Sequence, residues 1–205
     1  FNFDFLFDDI SNKYDIFDWE SFNDKAKKYE VVATDVITGE SKFFDKNNCS
    51  DIISAVKASA SMPVMSKMID VEGRKYLDGG ISTSIAYKRA FDVGYSKAIV
   101  VLTREEGYRK KPVNKINESI YKRYFKPLPN LVEKLMTVPE RYNKMQEEME
   151  ELAKEGKLLI IRPQNKVTVQ RLEHSSVKLE KLYNEGYEEG LKNIENIKNF
   201  IALKF

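Results

Sequence analysis

The sequence predicts an α/β fold with a helical C-terminal region, and three observations support that prediction. Residues 29–37 and 97–103 are rich in apolar and β-branched side chains, a composition typical of strands. Residues 84–93 have a helical pattern closed by Gly94 and lie between predicted strands, so the order strand, helix, strand predicts a parallel crossover. From Ser176 onward the pattern is again helical.

The first 44 residues predict a lead-in followed by a β-hairpin. Residues 1–28 alternate aromatic side chains with Asp and Asn, which favours irregular or short helical structure. The strand at 29–37 turns at Gly39 into a second strand at 41–44.

A helix and a second hairpin follow. Ser50 is the predicted N-cap of a helix over residues 51–60, and Pro63 stops the chain from continuing as a helix. Residues 68–71 and 74–77 are then predicted to pair about a tight turn.

The second half begins with a nearly unbroken apolar run, residues 97–103, which predicts a central strand covered on both faces. Residues 115–124 predict a short helix within a connecting region. Thr137 and Glu140 form a capping-box pattern with Pro139 in the first turn, so a helix is predicted to begin there.

That helix is predicted to end at Gly156, with a last strand over residues 157–162. In the C-terminal helix, Gly186 and Gly190 lie on the same predicted apolar face as Tyr183 and Tyr187. Glycine costs about 1 kcal/mol relative to alanine inside a helix, so two glycines on this face predict close approach to another element.

We expect residues 1–205 to form one domain, with 104–205 as a helical extension that contains one strand. Residues 104–155 form either a lid or an outer helical layer, and the outer layer is favoured. The chain opens abruptly on Phe1, from which we expect that an upstream part is missing.

Composition describes a soluble globular protein. Hydrophobic residues make up 42% and charged residues 32%, and the net charge of +2 does not indicate a nucleic-acid partner. The single cysteine predicts a reducing, cytoplasmic location. The sequence contains no metal-ligand cluster, no signal peptide and no apolar run approaching about 18 residues. No metal and no cofactor are predicted.

Asp78 is the strongest candidate for a catalytic side chain. It ends the strand at 74–77 and is followed by Gly79 and Gly80, near-site positions that allow close backbone approach. In α/β sheets ligands bind beyond the carboxyl ends of strands, where a carboxylate can orient or deprotonate a nucleophile. Asp-Gly is also a common turn pair, so a simple tight turn is the alternative.

The sequence offers no clear nucleophile for Asp78. A nucleophile elbow requires Gly-x-Ser-x-Gly, and none of the serines considered has those flanking glycines: Ser54, Ser59, Ser61, Ser82 and Ser84. Ser82 and Ser84 are more simply cap or turn residues. His174 is interpreted as a surface or capping histidine, and Cys49 has no base nearby in sequence.

Several segments, in this order and spacing, resemble patatin-like phospholipases of the bacterial type. Thr34-Asp35 followed by Thr38-Gly39 is similar to a hairpin of that family. Further similar segments are the small-residue helix at 55–63, the Asp-Gly-Gly motif at 73–80, the strand at 98–102 and the tail at 158–173.

The resemblance implies a three-layer α/β/α fold, incomplete in its N-terminal part, and a Ser-Asp dyad that hydrolyses a lipid acyl ester. It assigns Asp78 as proton acceptor and places the serine and an oxyanion loop upstream of Phe1, so this chain alone is expected to be inactive. It also agrees with peripheral contact with a membrane. The alternatives are a non-catalytic lipid- or protein-binding α/β domain and an unrelated α/β domain with a plain turn.

Overall fold

A computed structural model describes residues 3, 5–170 and 172–202. The described chain divides into two compact units. Unit 1 contains the described residues up to Ile85 together with Lys111–Arg141, and unit 2 contains Ala86–Lys110 and the described residues from Tyr142 onward. Helices and two sheets alternate along the chain, so the predicted α/β class with a helical C-terminal region is confirmed.

Unit 1 contains a four-stranded antiparallel sheet. Its strands are β1 (Glu30–Asp35), β2 (Ser41–Asp45), β3 (Ile69–Val71) and β4 (Arg74–Asp78), in the order β2-β1-β4-β3. Both predicted hairpins are therefore confirmed. Pairing of β1 with β4 places Ala33 opposite Asp78, which brings the end of β4 to the centre of the sheet.

The lead-in is short and helical, as predicted. A π-helical segment spans Phe5–Tyr14, and α1 spans Trp19–Asn23 with Asp18 as its N-cap. The predicted lead-in also included residues 1, 2 and 4, which lie outside the described residues.

Helix α2 (Ile52–Ser59) packs on the sheet through small side chains. Ala55 and Ala58 are fully buried, and they share a core with Ala33, Phe44, Val71 and Tyr76. The prediction of Ser50 as the N-cap is wrong. The Asp51 carboxylate accepts the Ser54 N–H at 2.9 Å instead, because Asp51 directly precedes the first helical turn, whereas Ser50 bonds to Glu72.

Helices α4 (Lys115–Tyr124) and α5 (Pro129–Lys154) follow. The predicted bounds of α4 are confirmed. Phe125, Leu131 and Leu135 share a second core of unit 1 with Val36, Leu77 and Ile81. Residues 121–135 of the segment 104–155 therefore pack in the core of unit 1.

The predicted helix start at Thr137 is wrong, because α5 is continuous from Pro129 and holds Pro139 in its interior. The Thr137 hydroxyl donates to the carbonyl groups of Glu133 and Lys134, at 3.0 and 3.2 Å. It therefore bonds back along the helix instead of capping a new one.

Unit 2 contains α3 (Tyr87–Asp92), a two-stranded sheet, and the helices α6 (Ser176–Lys192) and α7 (Ile194–Ala202). Strands β5 (Ala98–Val101) and β6 (Leu158–Ile161) pair in parallel, with Ala98 opposite Leu158. The predicted strand at 157–162 and the C-terminal helical tail are confirmed. Gly156, at φ +72°, closes α5 as predicted.

Two predictions about β5 are wrong. The parallel partner of β5 is β6, reached through α5, and not β4, which lies in the antiparallel sheet. Nor is β5 covered on both faces within the described residues, since Val101 is 73% exposed. An apolar run specifies that a strand forms, but the partner and the cover depend on distant segments.

The predicted close approach at the glycines of α6 is also wrong. A Cβ at Gly186 or Gly190 would meet no described atom within 4 Å apart from the neighbouring backbone of its own helix. Tyr183 and Tyr187, on the face predicted to be buried, are exposed. The helix turns another side inward, on which Glu189 accepts from the side-chain amides of Gln164 and Asn193, each at 2.9 Å.

Candidate functional site

The candidate site is the turn that begins at Asp78, the last residue of β4 in unit 1. The Asp78 N–H donates to the Ser61 carbonyl at 2.9 Å, and the Asp78 carbonyl accepts from Thr34 Oγ1 at 2.8 Å. Thr34 is fully buried. The backbone of Asp78 is thus held from two sides while its side chain is only half-buried.

The Asp78 carboxylate caps a short 3-10 turn, Gly79–Ile81. Oδ1 accepts the Gly80 N–H at 2.7 Å, and this bond aims one carboxylate oxygen back at the turn. A hydrogen bond to the charged form stabilises the carboxylate and fixes its orientation. This geometry is therefore compatible both with a simple tight turn and with a functional carboxylate.

The two glycines are required for different reasons. A Cβ at Gly79 would lie 2.2 Å from the Val32 carbonyl oxygen, a separation that no side chain tolerates. A Cβ at Gly80 would lie 3.0 Å from Asp78 Oδ1. Gly79 thus allows the turn to approach β1, and Gly80 leaves room for the carboxylate.

Hydroxyl groups surround the turn. Ser82 Oγ lies 2.8 Å from Thr34 Oγ1 and donates to the Gly79 carbonyl at 3.3 Å. Ser84 Oγ donates to the Gly80 carbonyl at 3.0 Å. These bonds make Ser82 and Ser84 turn residues, as the sequence indicated.

Arg141, from α5, holds the far end of the turn within unit 1. Its Nη2 donates to the Ile81 carbonyl at 2.5 Å and to the Lys134 carbonyl at 2.8 Å, and its Nη1 donates to the Ser82 carbonyl at 2.6 Å. Burial lowers the pKa of the Arg141 guanidinium from its ordinary value, although arginine stays protonated in proteins. A cation thus stabilises the carbonyl groups that follow Asp78-Gly79-Gly80.

The other candidate side chains lie in ordinary structural settings. Ser61 is buried and its hydroxyl donates to the Lys57 carbonyl at 2.8 Å, while the Ser54 N–H is the group that Asp51 caps. His174 is exposed, and burial raises the pKa of the Cys49 thiol, which disfavours a reactive thiolate.

Thr34 and Arg141 are parts of the site that sequence reasoning missed. Thr34 was visible as the first residue of the Thr34-Asp35 pair, but its bond to Asp78 joins positions 44 residues apart. Arg141 gave no usable signal, because it is one of 34 basic residues in a highly charged chain.

Within residues 3, 5–170 and 172–202, no group of three or more His, Cys, Asp or Glu side chains is placed to hold a metal ion. In the same part of the chain, none of the helices has both the length and the apolar character needed to cross a membrane.

A family model described as a domain of unknown function, DUF6363, matches residues 128–202, just over a third of the chain. The matched region contains α5, β6, α6 and α7, and it includes Arg141 but not Asp78. A search of the curated proteins finds no match.

Proposed function

We propose that this chain supplies the aspartate of a Ser-Asp dyad in a lipid acyl hydrolase of the patatin-like type. The observation that carries the proposal is the half-buried carboxylate of Asp78, which projects from the end of a strand and has its backbone fixed on both sides. The ordered motifs from residue 29 to residue 103 that resemble patatin-like phospholipases support the same assignment.

The proposed reaction has two steps. A serine hydroxyl attacks the ester carbonyl carbon while Asp78 accepts its proton, and the proton then passes to the departing alkoxide, leaving an acyl-enzyme. Water next attacks the acyl-enzyme, Asp78 accepts a proton from the water, and that proton returns to the serine as the acid is released. The proposal assigns no serine of this chain to the nucleophile, since none stands in Gly-x-Ser-x-Gly.

The proposal needs neither a metal nor a cofactor. It includes a cytoplasmic location, because the single cysteine forms no disulfide within the chain. The proposal also includes peripheral contact with a membrane.

The test compares Asp78→Asn with the unaltered sequence in the full-length natural polypeptide. Asparagine keeps the shape of the side chain but cannot accept the serine proton, so kcat/KM for p-nitrophenyl butyrate is expected to fall by about 100-fold or more. Asp92→Asn is the matched control, because Asp92 is exposed at the end of α3. Unchanged hydrolysis in Asp78→Asn would refute the assignment, and no hydrolysis by the natural polypeptide would favour a non-catalytic binding domain.

Gly80→Ala tests whether the carboxylate position matters. The new Cβ would lie 3.0 Å from Asp78 Oδ1, so the carboxylate must shift by a few tenths of an ångström. We expect kcat/KM to fall by about tenfold, since small displacements of reacting groups are costly. Circular dichroism should show a Tm close to that of the natural protein. A variant with full activity would contradict a role for this carboxylate position.

A further inference from the structure

Residues 61–68 of unit 1 form a loop, here called the Val64 loop. One end of this loop bonds to the backbone of Asp78, and the other end packs against residues that flank Asp78 in the sequence. At its start the Ser61 carbonyl accepts the Asp78 N–H at 2.9 Å. At its end Met68 packs against the core that contains Leu77 and Ile81. The loop is therefore fixed relative to the candidate carboxylate.

The middle of the loop is strained. Val64 has φ +70°, a left-handed conformation that is a genuine outlier for a β-branched residue. The Ser66 N–H donates to the Met62 carbonyl at 2.9 Å and closes the turn around it. Glycine would adopt this conformation without strain, so the valine works against stability here.

The strained turn exposes apolar side chains. Val64 is 36% exposed and Met65 is 49% exposed. The hydroxyl of Ser66, the next residue in the chain, is buried without a hydrogen-bond partner among the described residues. Strain, apolar exposure and an unpaired hydroxyl all reduce stability, and features of this kind concentrate at functional sites.

The chain length limits how far Val64 can lie from the site. Val64 is the third residue after Ser61, so their Cα atoms are at most about 11 Å apart even if the segment were fully extended. Ser61 in turn bonds directly to Asp78. An ester whose carbonyl group lies at the Asp78 carboxylate could therefore extend its acyl chain to this turn.

We propose that Val64 and Met65 form the contact surface for the acyl chain of the substrate and set the preference for longer chains. This inference rests on the proposed function. Valine supplies a rigid apolar contact, and methionine supplies a flexible, polarizable one that adapts to chains of different length. Acetyl esters are too short to gain from the contact, whereas octanoyl esters would bury methylene groups against it.

The test uses the double variant Val64→Gly with Met65→Ser in the full-length natural polypeptide. The ratio of kcat/KM for p-nitrophenyl octanoate to that for p-nitrophenyl acetate is expected to fall by about tenfold. Val64→Gly alone relieves the positive-φ strain, so its Tm should be equal to or above the natural value. Such a Tm would show that a change in the kcat/KM ratio comes from substrate recognition and not from a folding defect.

Ile116→Ser is the matched control. It removes an apolar side chain from α4 in the same unit that is 73% exposed, and it should leave the octanoate-to-acetate ratio unchanged. An unchanged ratio in the double variant, with hydrolysis still dependent on Asp78, would overturn this inference and leave the proposed function intact. Absence of ester hydrolysis in the natural protein, or hydrolysis that survives Asp78→Asn, would overturn both.

Discussion

Gly79→Ala is expected to destabilise the protein by at least about 3 kcal/mol, because the added methyl group has no space beside β1. It would lie 2.2 Å from the Val32 carbonyl oxygen and 2.7 Å from Val32 Cγ1. Neither backbone can yield easily. Val32 pairs with Phe43 in the register of β1 and β2, and Asp78 pairs with Ala33.

Urea denaturation of the natural and variant proteins measures this effect as a lower midpoint at a similar slope. Gly186→Ala is the control, since the residue lies inside α6 and a Cβ there would meet no described atom within 4 Å apart from the neighbouring backbone of its own helix. Alanine at position 186 is expected to stabilise by up to about 1 kcal/mol. The geometry predicts that the two substitutions change the free energy of unfolding in opposite directions. A decrease below about 0.5 kcal/mol in Gly79→Ala would contradict it.

Arg141→Met is expected to destabilise the protein by about 3–5 kcal/mol, because several carbonyl groups lose their hydrogen-bond donor at once. Methionine retains most of the apolar bulk of the side chain but supplies no donor. The carbonyl groups of Ile81 and Ser82 then lose the charged groups that bind them at 2.5 and 2.6 Å, and hydrogen bonds to charged groups are the strong ones. The turn after Asp78 should open more often.

Hydrogen–deuterium exchange locates the effect. Peptides covering residues 74–85 should exchange faster in Arg141→Met, together with a lower urea midpoint. Lys144→Met is the control, because Lys144 is an exposed cation on the same helix, α5. Equal exchange in the two variants would show that Arg141 does not hold the turn.

Local patterns were sufficient for much of the fold. The hairpin β3–β4 was predictable because Gly73, at φ +79°, lies between two short strand segments. The short helix α4 has the predicted bounds, and in the structure the Asn114 side chain caps it by accepting the Asn117 N–H. Such elements depend on contacts between residues a few positions apart.

Other features depended on long-range packing, which competes with local preference and cannot be read from a local pattern. The capping-box pattern at Thr137 was overridden because Leu131 and Leu135 are buried in the core of unit 1 and extend α5 toward its N-terminus. The buried side of α6 was mispredicted, since the helix turns Glu189 rather than Tyr183 and Tyr187 toward the rest of unit 2. In each case long-range packing outweighed local preference.

The sequence by itself determined the α/β class, the two hairpins and Asp78 as the residue on which a function could be built, because strand pattern and turn chemistry are local. Only the tertiary structure decided what surrounds Asp78. Ser61, Thr34 and Arg141 reach it or its turn from elements 17, 44 and 59 residues away along the chain, counted from the bonded positions. Contacts at such separations depend on how strands and helices pack together, and no local pattern specifies them.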